Sequence, residues 1–235
     1  MHTGVEGRIV GGRVARRGSW AWVVGLRAVW GGPIRCGGVL ITHRHVLTAA
    51  HCLPTPTLLP WVLRVVVGAH THEEGSEIGI TFISVHPNFG KSAKYDSDLA
   101  VLSLSSDISL DSNVKFPCVA LFTPPVGSQG VVLGWGRTSY YSLLSRALRQ
   151  ATIHVLSRER CQDYGKNFTN TMLCAGETER DACLGDSGGP LVVDAGGVWV
   201  VVGVVSYGRG CGNAKFPGAY TNVSLFKRWI ESVLF

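Results

Sequence analysis

Three short passages carry residue types that can act together on a carbonyl group. Ser187 lies in Gly185-Asp186-Ser187-Gly188-Gly189-Pro190. Glycines there let the backbone fold tightly around a serine and aim its N–H groups at a substrate. His51 lies in Thr48-Ala49-Ala50-His51-Cys52, with a cysteine beside it as an anchor. Asp98 opens the apolar run Asp98-Leu99-Ala100-Val101-Leu102. Hydrolysis of an amide near neutral pH needs a nucleophile, a base for its proton, a group holding that base, and donors for the developing oxyanion. These passages offer candidates for all four. Taken singly, each has a plainer explanation: a turn serine, a structural histidine, an acid capping a strand.

The elements that must hold such residues read as strands. Short β-branched and apolar runs recur between Gly, Pro, Ser and Asn clusters, at Gly38–Ile41, Val62–Val67, Ile80–Val85, Leu99–Leu104, Val131–Leu133, Thr152–Leu156, Leu191–Val193, Trp199–Val205 and Ala219–Val223. That pattern predicts an all-β barrel or sandwich. Only the end reads as a helix, with Val223, Phe226, Ile230, Val233 and Leu234 at three- and four-residue spacing. A seam at Lys115 to Gln129 is marked by Pro117, Pro124, Pro125 and Gly127.

Composition narrows the class. Charged residues are 16% of the 235, and 30 are glycine, so the chain is apolar and turn-rich rather than disordered or coiled-coil. The longest apolar run, Val198 to Val205, is far short of the roughly 18 residues of a transmembrane helix. The net charge of +6 permits weak attraction to anionic partners. The basic residues are scattered, however, with no aromatic-interleaved stripe, so no nucleic-acid partner is expected. Seven cysteines, too widely spaced for zinc pairs, point to disulfides in an oxidising compartment, with one left unpaired. Met1 to Arg8 holds no apolar stretch like a signal-peptide core, so the chain reads as an excised piece of a secreted protein.

The three passages, with Arg8-Ile9-Val10-Gly11-Gly12, Cys36-Gly37-Gly38, Gly134-Trp135-Gly136 and Ser206-Tyr207-Gly208 in the same order, resemble the chymotrypsin-fold, trypsin-like serine proteases. The resemblance runs from Ile9 to the C-terminus. It implies two six-stranded antiparallel Greek-key barrels and a C-terminal helix, with residues 1–8 as propeptide. The barrels would span about 9–115 and 127–223, joined by a linker over about 116–126 and followed by a helix over about 224–235. It also implies that Ser187 is the nucleophile, His51 the base, Asp98 the group that orients it, and the N–H groups of Gly185 and Ser187 the oxyanion hole. No metal and no organic cofactor is implied.

By the same resemblance, Asp181 forms the base of the specificity pocket, with Ser206, Tyr207, Gly208 and Gly218 along its wall. A carboxylate there pairs with Arg or Lys, and would stay buried and unpaired against Phe or Val. Cleavage after Arg or Lys is therefore expected, with Arg favoured because Ala182 removes a hydroxyl that would help solvate a lysine ammonium. Tyr95 and Tyr207 would wall the neighbouring subsites, and Leu184 would make the cleft lip less polar. Cleavage between Arg8 and Ile9 would free an ammonium to insert beside Asp186. The resemblance pairs Cys36 with Cys52, Cys161 with Cys174, and Cys183 with Cys211. Cys118 is left to tether an upstream light chain or propeptide, the plainer alternative being a buried free thiol.

The chain departs from its relatives in places. A common family disulfide is missing at Gly130 and Val193, and with Ala69 where calcium-binding relatives have an acid, no calcium site is expected at Glu73, Glu74 and Glu77. The apolar, proline-stiffened segment Leu53 to Trp61 either roofs the cleft or packs on a neighbouring loop. Asn167-Phe168-Thr169 and Asn222-Val223-Ser224 are glycosylation sequons, the second abutting the last strand. The expected function is a secreted endopeptidase acting through an acyl-enzyme, with protein substrates and protein inhibitors as partners. The rival is a catalytically silent homologue that binds through its basic surface.

Overall fold

The computed structural model describes residues 12–53, 59–109, 116–139, 141–177, 182–213 and 215–234. After β1 (Arg13–Val14), which joins the second sheet, seven strands form the first: β2 (Val23–Ala28), β3 (Cys36–Leu40), β4 (His45–Thr48), β5 (Leu63–Val67), β6 (Ser76–Ile78), β7 (Ile80–Val85) and β8 (Ala100–Leu104). Their order is β6-β5-β2-β3-β4-β8-β7, antiparallel throughout. Only Gly79 separates β6 from β7, so the two ends of this path are one bent strand that changes partner. The sheet thereby curls into a six-strand barrel-like unit closed through the chain itself.

The second sheet contains β9 (Cys118–Val119), β10 (Gln129–Gly134), β11 (Arg149–Leu156), β12 (Met172–Gly176), β13 (Pro190–Asp194), β14 (Trp199–Tyr207) and β15 (Gly218–Asn222). The path β11-β10-β13-β14-β15-β12 returns to β11 and closes a six-strand ring. β1 adds to β11, and β9 lies parallel on β14. The expected two-barrel, all-β fold is thus observed.

The sequence explains these elements. In β11, Ala151, Ile153 and Val155 are buried and alternate with less buried residues, the period of a strand with one covered face. β14 is buried at seven consecutive positions, as befits its near-continuous valines. Val24, Leu40, Val46, Leu47 and Leu102 fill the first unit. Each such side chain contributes roughly 1.5–3 kcal/mol by leaving water. Trp135, Val201 and Val204 of the second unit belong to the same apolar cluster, so the core is continuous between the two.

The terminal helix differs from expectation. Val223–Phe226 forms a 3-10 turn, and α1 covers only Lys227–Ser232. Val223, Phe226 and Ile230 are buried as expected, because three- and four-residue spacing suits both helix types and sequence periodicity does not separate them.

Candidate active site

His51 sits in the 3-10 turn Ala50–Cys52 that follows β4. The Cys36–Cys52 disulfide ties this turn to β3. Closing a loop with a sequence separation of 16 stabilises the fold by about 3 kcal/mol, mainly by restricting the unfolded chain. Asp98 lies just before β8 and is wholly inaccessible to water. Its Oδ1 accepts the His51 backbone N–H at 2.9 Å, its Oδ2 lies 2.6 Å from His51 Nδ1, and Ser206 Oγ donates to Oδ2 at 2.5 Å. An ionised carboxylate only accepts, so Nδ1 carries the proton and Nε2 is left as the basic nitrogen.

Thr221 Oγ1 donates to the Asp98 carbonyl at 2.8 Å, so the last strand of the second unit fixes the entry to β8 in the first. Sequence reasoning missed this threonine, since nothing around it marks the role. It named Ser206 only as a pocket wall, whereas the hydroxyl also holds Asp98.

Ser187 lies in the tight loop leading to β13. Gly188 (φ +78°) turns the chain there, with its N–H donating to Val205 O at 2.8 Å. The Gly37 N–H donates to Ser187 O at 2.7 Å, binding the loop to β3 of the other unit. Beneath it Asp186 is fully buried, and accepts the Gly136 N–H at 2.7 Å and the Cys183 N–H at 2.9 Å. Burial pushes its carboxyl up to about 6, a rise that these two N–H donors and the Arg149 guanidinium only partly oppose.

His51 and Ser187 line one cavity of about 660 Å3 together with Tyr95, Tyr207, Gly208 and Gly218. Tyr95 stacks on Tyr207 at 4.9 Å and meets His51 edge-on at 5.4 Å. Burial raises the Tyr207 phenol above its ordinary value, and its O–H donates to Asn167 O at 2.8 Å. Ala182, Cys183 and Leu184 complete one wall, and the Cys183–Cys211 disulfide holds that wall to the chain opposite. Leu184 is exposed at the lip. Asp181, Arg8 and Ile9 lie outside the described residues, as do residues 54–58 of the proline-rich segment. At its ends Leu53 is buried, while Leu59 and Trp61 are exposed.

The third disulfide joins Cys161 to Cys174, and Cys118 is free and exposed, which removes the alternative of a buried thiol. Glu73, Glu74 and Glu77 are each paired with an arginine, Arg146, Arg17 and Arg27 respectively. Asn167 is exposed. Asn222 is 4% exposed and its amide donates to Thr123 Oγ1 at 2.8 Å, which leaves no room for a glycan. No helix among the described residues is long and apolar enough to cross a membrane.

Against known proteins, the trypsin family profile matches residues 9–230. The chain is 35% identical to trypsin alpha of Drosophila melanogaster, over 97% of its own length and 88% of that protein. It is 39% identical to hypodermin-B of Hypoderma lineatum, over 96% and 87%. With the proclotting enzyme of Tachypleus tridentatus it shares 33% identity, over 98% and 67%. Among solved structures it resembles mouse neuropsin, a serine protease expressed in the limbic system of the brain, at a TM-score of 0.84 and 31% identity, covering 95% of this chain and 99% of that one.

Proposed function

The chain belongs to the trypsin family of serine proteases, and we propose that it is a secreted endopeptidase cutting after Arg or Lys once its own Arg8–Ile9 bond is cleaved. The observation that carries this reading is the buried Asp98 accepting two hydrogen bonds from His51 beside a cavity that His51 shares with Ser187. His51 Nε2 takes the proton as Ser187 Oγ attacks the scissile carbonyl, and Asp98 stabilises the imidazolium that results. The Gly185 and Ser187 N–H groups hold the oxyanion. Collapse of the tetrahedral adduct passes the proton to the leaving amine and leaves an ester on Ser187. Water, deprotonated by the same histidine, then hydrolyses that ester and regenerates the serine.

Asp181 supplies the charge for an Arg or Lys side chain in this reading, and Gly208 and Gly218 in the cavity wall leave the length for it. Three disulfides suit an oxidising, extracellular setting. Protein substrates and protein inhibitors are the partners such a cleft takes. Cys118, exposed near the exposed Leu121 and Phe122, is suited to tether an upstream chain, and use in a proteolytic cascade fits that arrangement.

The test is to cut the purified chain after Arg8, verify Ile9 as the new N-terminus, and compare turnover of reporter peptides ending in Arg, Lys, Phe or Val. Ser187→Ala serves as the blank. Fast cleavage of the Arg and Lys peptides alone supports the reading. Preference for Phe or Val overturns the specificity, and no cleavage of any peptide favours a silent homologue.

A further inference from the structure

Two smaller cavities adjoin the catalytic groups, one lined in part by His51 and the other by Leu184 and Gly185. One, of about 360 Å3, opens between Pro33, Arg35, Arg137, Leu144, Leu184 and Gly185. The other, of about 340 Å3, lies against His51 and the Cys36–Cys52 bridge, with Val62 and Leu63 in its wall. Arg35 lines both and so stands on the ridge between them. No carboxylate occurs among the described residues that line either cavity.

The two arginines of the first cavity hang from fixed backbone. Arg35 is exposed, its N–H donates to Leu26 O at 3.0 Å, and the disulfide-bonded Cys36 follows it. The Arg137 N–H donates to Leu184 O at 2.7 Å, next to Gly136, whose N–H is held by Asp186. Both residues thus border the cavity beside Gly185.

Resting on the protease reading above, the placement of a departing peptide follows from strand geometry. Successive side chains of an extended chain point to opposite sides. If the first residue after the cut faces His51 and the disulfide, the second faces Leu184, Leu144 and the two guanidiniums. We propose that Arg35 and Arg137 select substrates with Asp or Glu as the second residue after the scissile bond. Leu144 and Leu184 pack on that side chain's methylenes, while its carboxylate meets the positive rim. A lysine in the same place meets like charge.

Exposed ion pairs are individually weak, so an Asp peptide should exceed its Ala counterpart in kcat/KM by about 3- to 10-fold, with Lys lower than Ala by a similar factor. Three peptides with Arg before the cut and Asp, Ala or Lys as the second residue after it would be compared, using the chain cut after Arg8, at about 0.05 M and about 0.5 M salt. The order Asp, Ala, Lys should narrow at high salt, where charges are screened within about 4 Å. It should also narrow in the Arg35→Gln, Arg137→Gln double variant. Equal rates on all three peptides overturn this inference while leaving the protease reading intact. A charge order that survives in the double variant overturns the assignment to these arginines. Failure to cut any of the three overturns both.

Discussion

Asp98 has no contact with water, and its carboxylate oxygens take a backbone N–H and an imidazole N–H of His51 and a hydroxyl of Ser206. Every neighbour donates, so a group that both donates and accepts does not fit. In Asp98→Asn the amide presents an N–H to His51 Nδ1 or to Ser206 Oγ, and the histidine turns to the tautomer whose Nε2 carries a proton. We expect turnover to fall about 10⁴-fold, with the melting temperature changed far less than the rate. Ser187→Ala should cost about 10⁶-fold. Steady-state kinetics on an Arg reporter peptide, with calorimetry on the same samples, checks both, and a near-normal rate in either removes that residue from the mechanism. At Asp181 the expected effect is on selectivity. If Asp181 is the pocket acid proposed above, replacing it with Ser leaves an incoming guanidinium unpaired, and the rate for Arg peptides should drop roughly 10²- to 10⁴-fold. Peptides ending in Val should lose little.

At the scale of elements, the Ser187 loop is held by its crossing to the other barrel. A Cβ on Gly188 would meet Thr48 Oγ1 and come within 2.5 Å of Gly37 O, at a φ of +78° that side chains resist. Gly188→Ala should therefore destabilise by about 2–4 kcal/mol in denaturant titration and lower the fraction of enzyme titratable by a covalent serine reagent. Gly196 has a similar φ, +73°, with nothing within 4 Å of its would-be Cβ. Its alanine variant should lose about 1 kcal/mol and no reactive serine, which separates the clash from the strain. The short motifs made these chemical loops legible in the sequence, and the β-branched runs marked nine of the strands. Other strands carried no such mark. Met172–Gly176 lacks any β-branched residue, and Val23–Ala28 is broken by Gly25 and Arg27, yet both are formed because neighbours on either side complete their hydrogen bonds. Tertiary pairing overrides local preference there. Thr221 and the Arg35–Arg137 rim were equally silent, since their meaning comes only from what the fold brings against them.

Across the whole molecule, the buried Asp186 ties stability to the acidity of one carboxyl, the same group on which the proposed activation step would act. An ordinary aspartate ionises near 3.8, and burial lifts this one to about 6. Between those values the unfolded chain has released a proton that the folded chain retains. Stability contributed by this group is therefore present at low pH and lost as pH rises from about 4 to about 6, by up to roughly 3 kcal/mol, and is flat above that. In the proposed activation, an ammonium freed at Ile9 and placed beside Asp186 would favour the charged carboxylate and offset that loss. Thermal melts of the Ser187→Ala protein, intact and cut after Arg8, should therefore nearly coincide at pH 4 and separate as the pH approaches 6, the cut form being the more stable. The comparison cancels the other carboxylates of residues 9–235, which are common to both forms. Parallel pH dependence in the two would remove Asp186 from the activation step. It would leave the buried carboxyl as a structural acid, held by Gly136 and Cys183 without a partner from the new terminus.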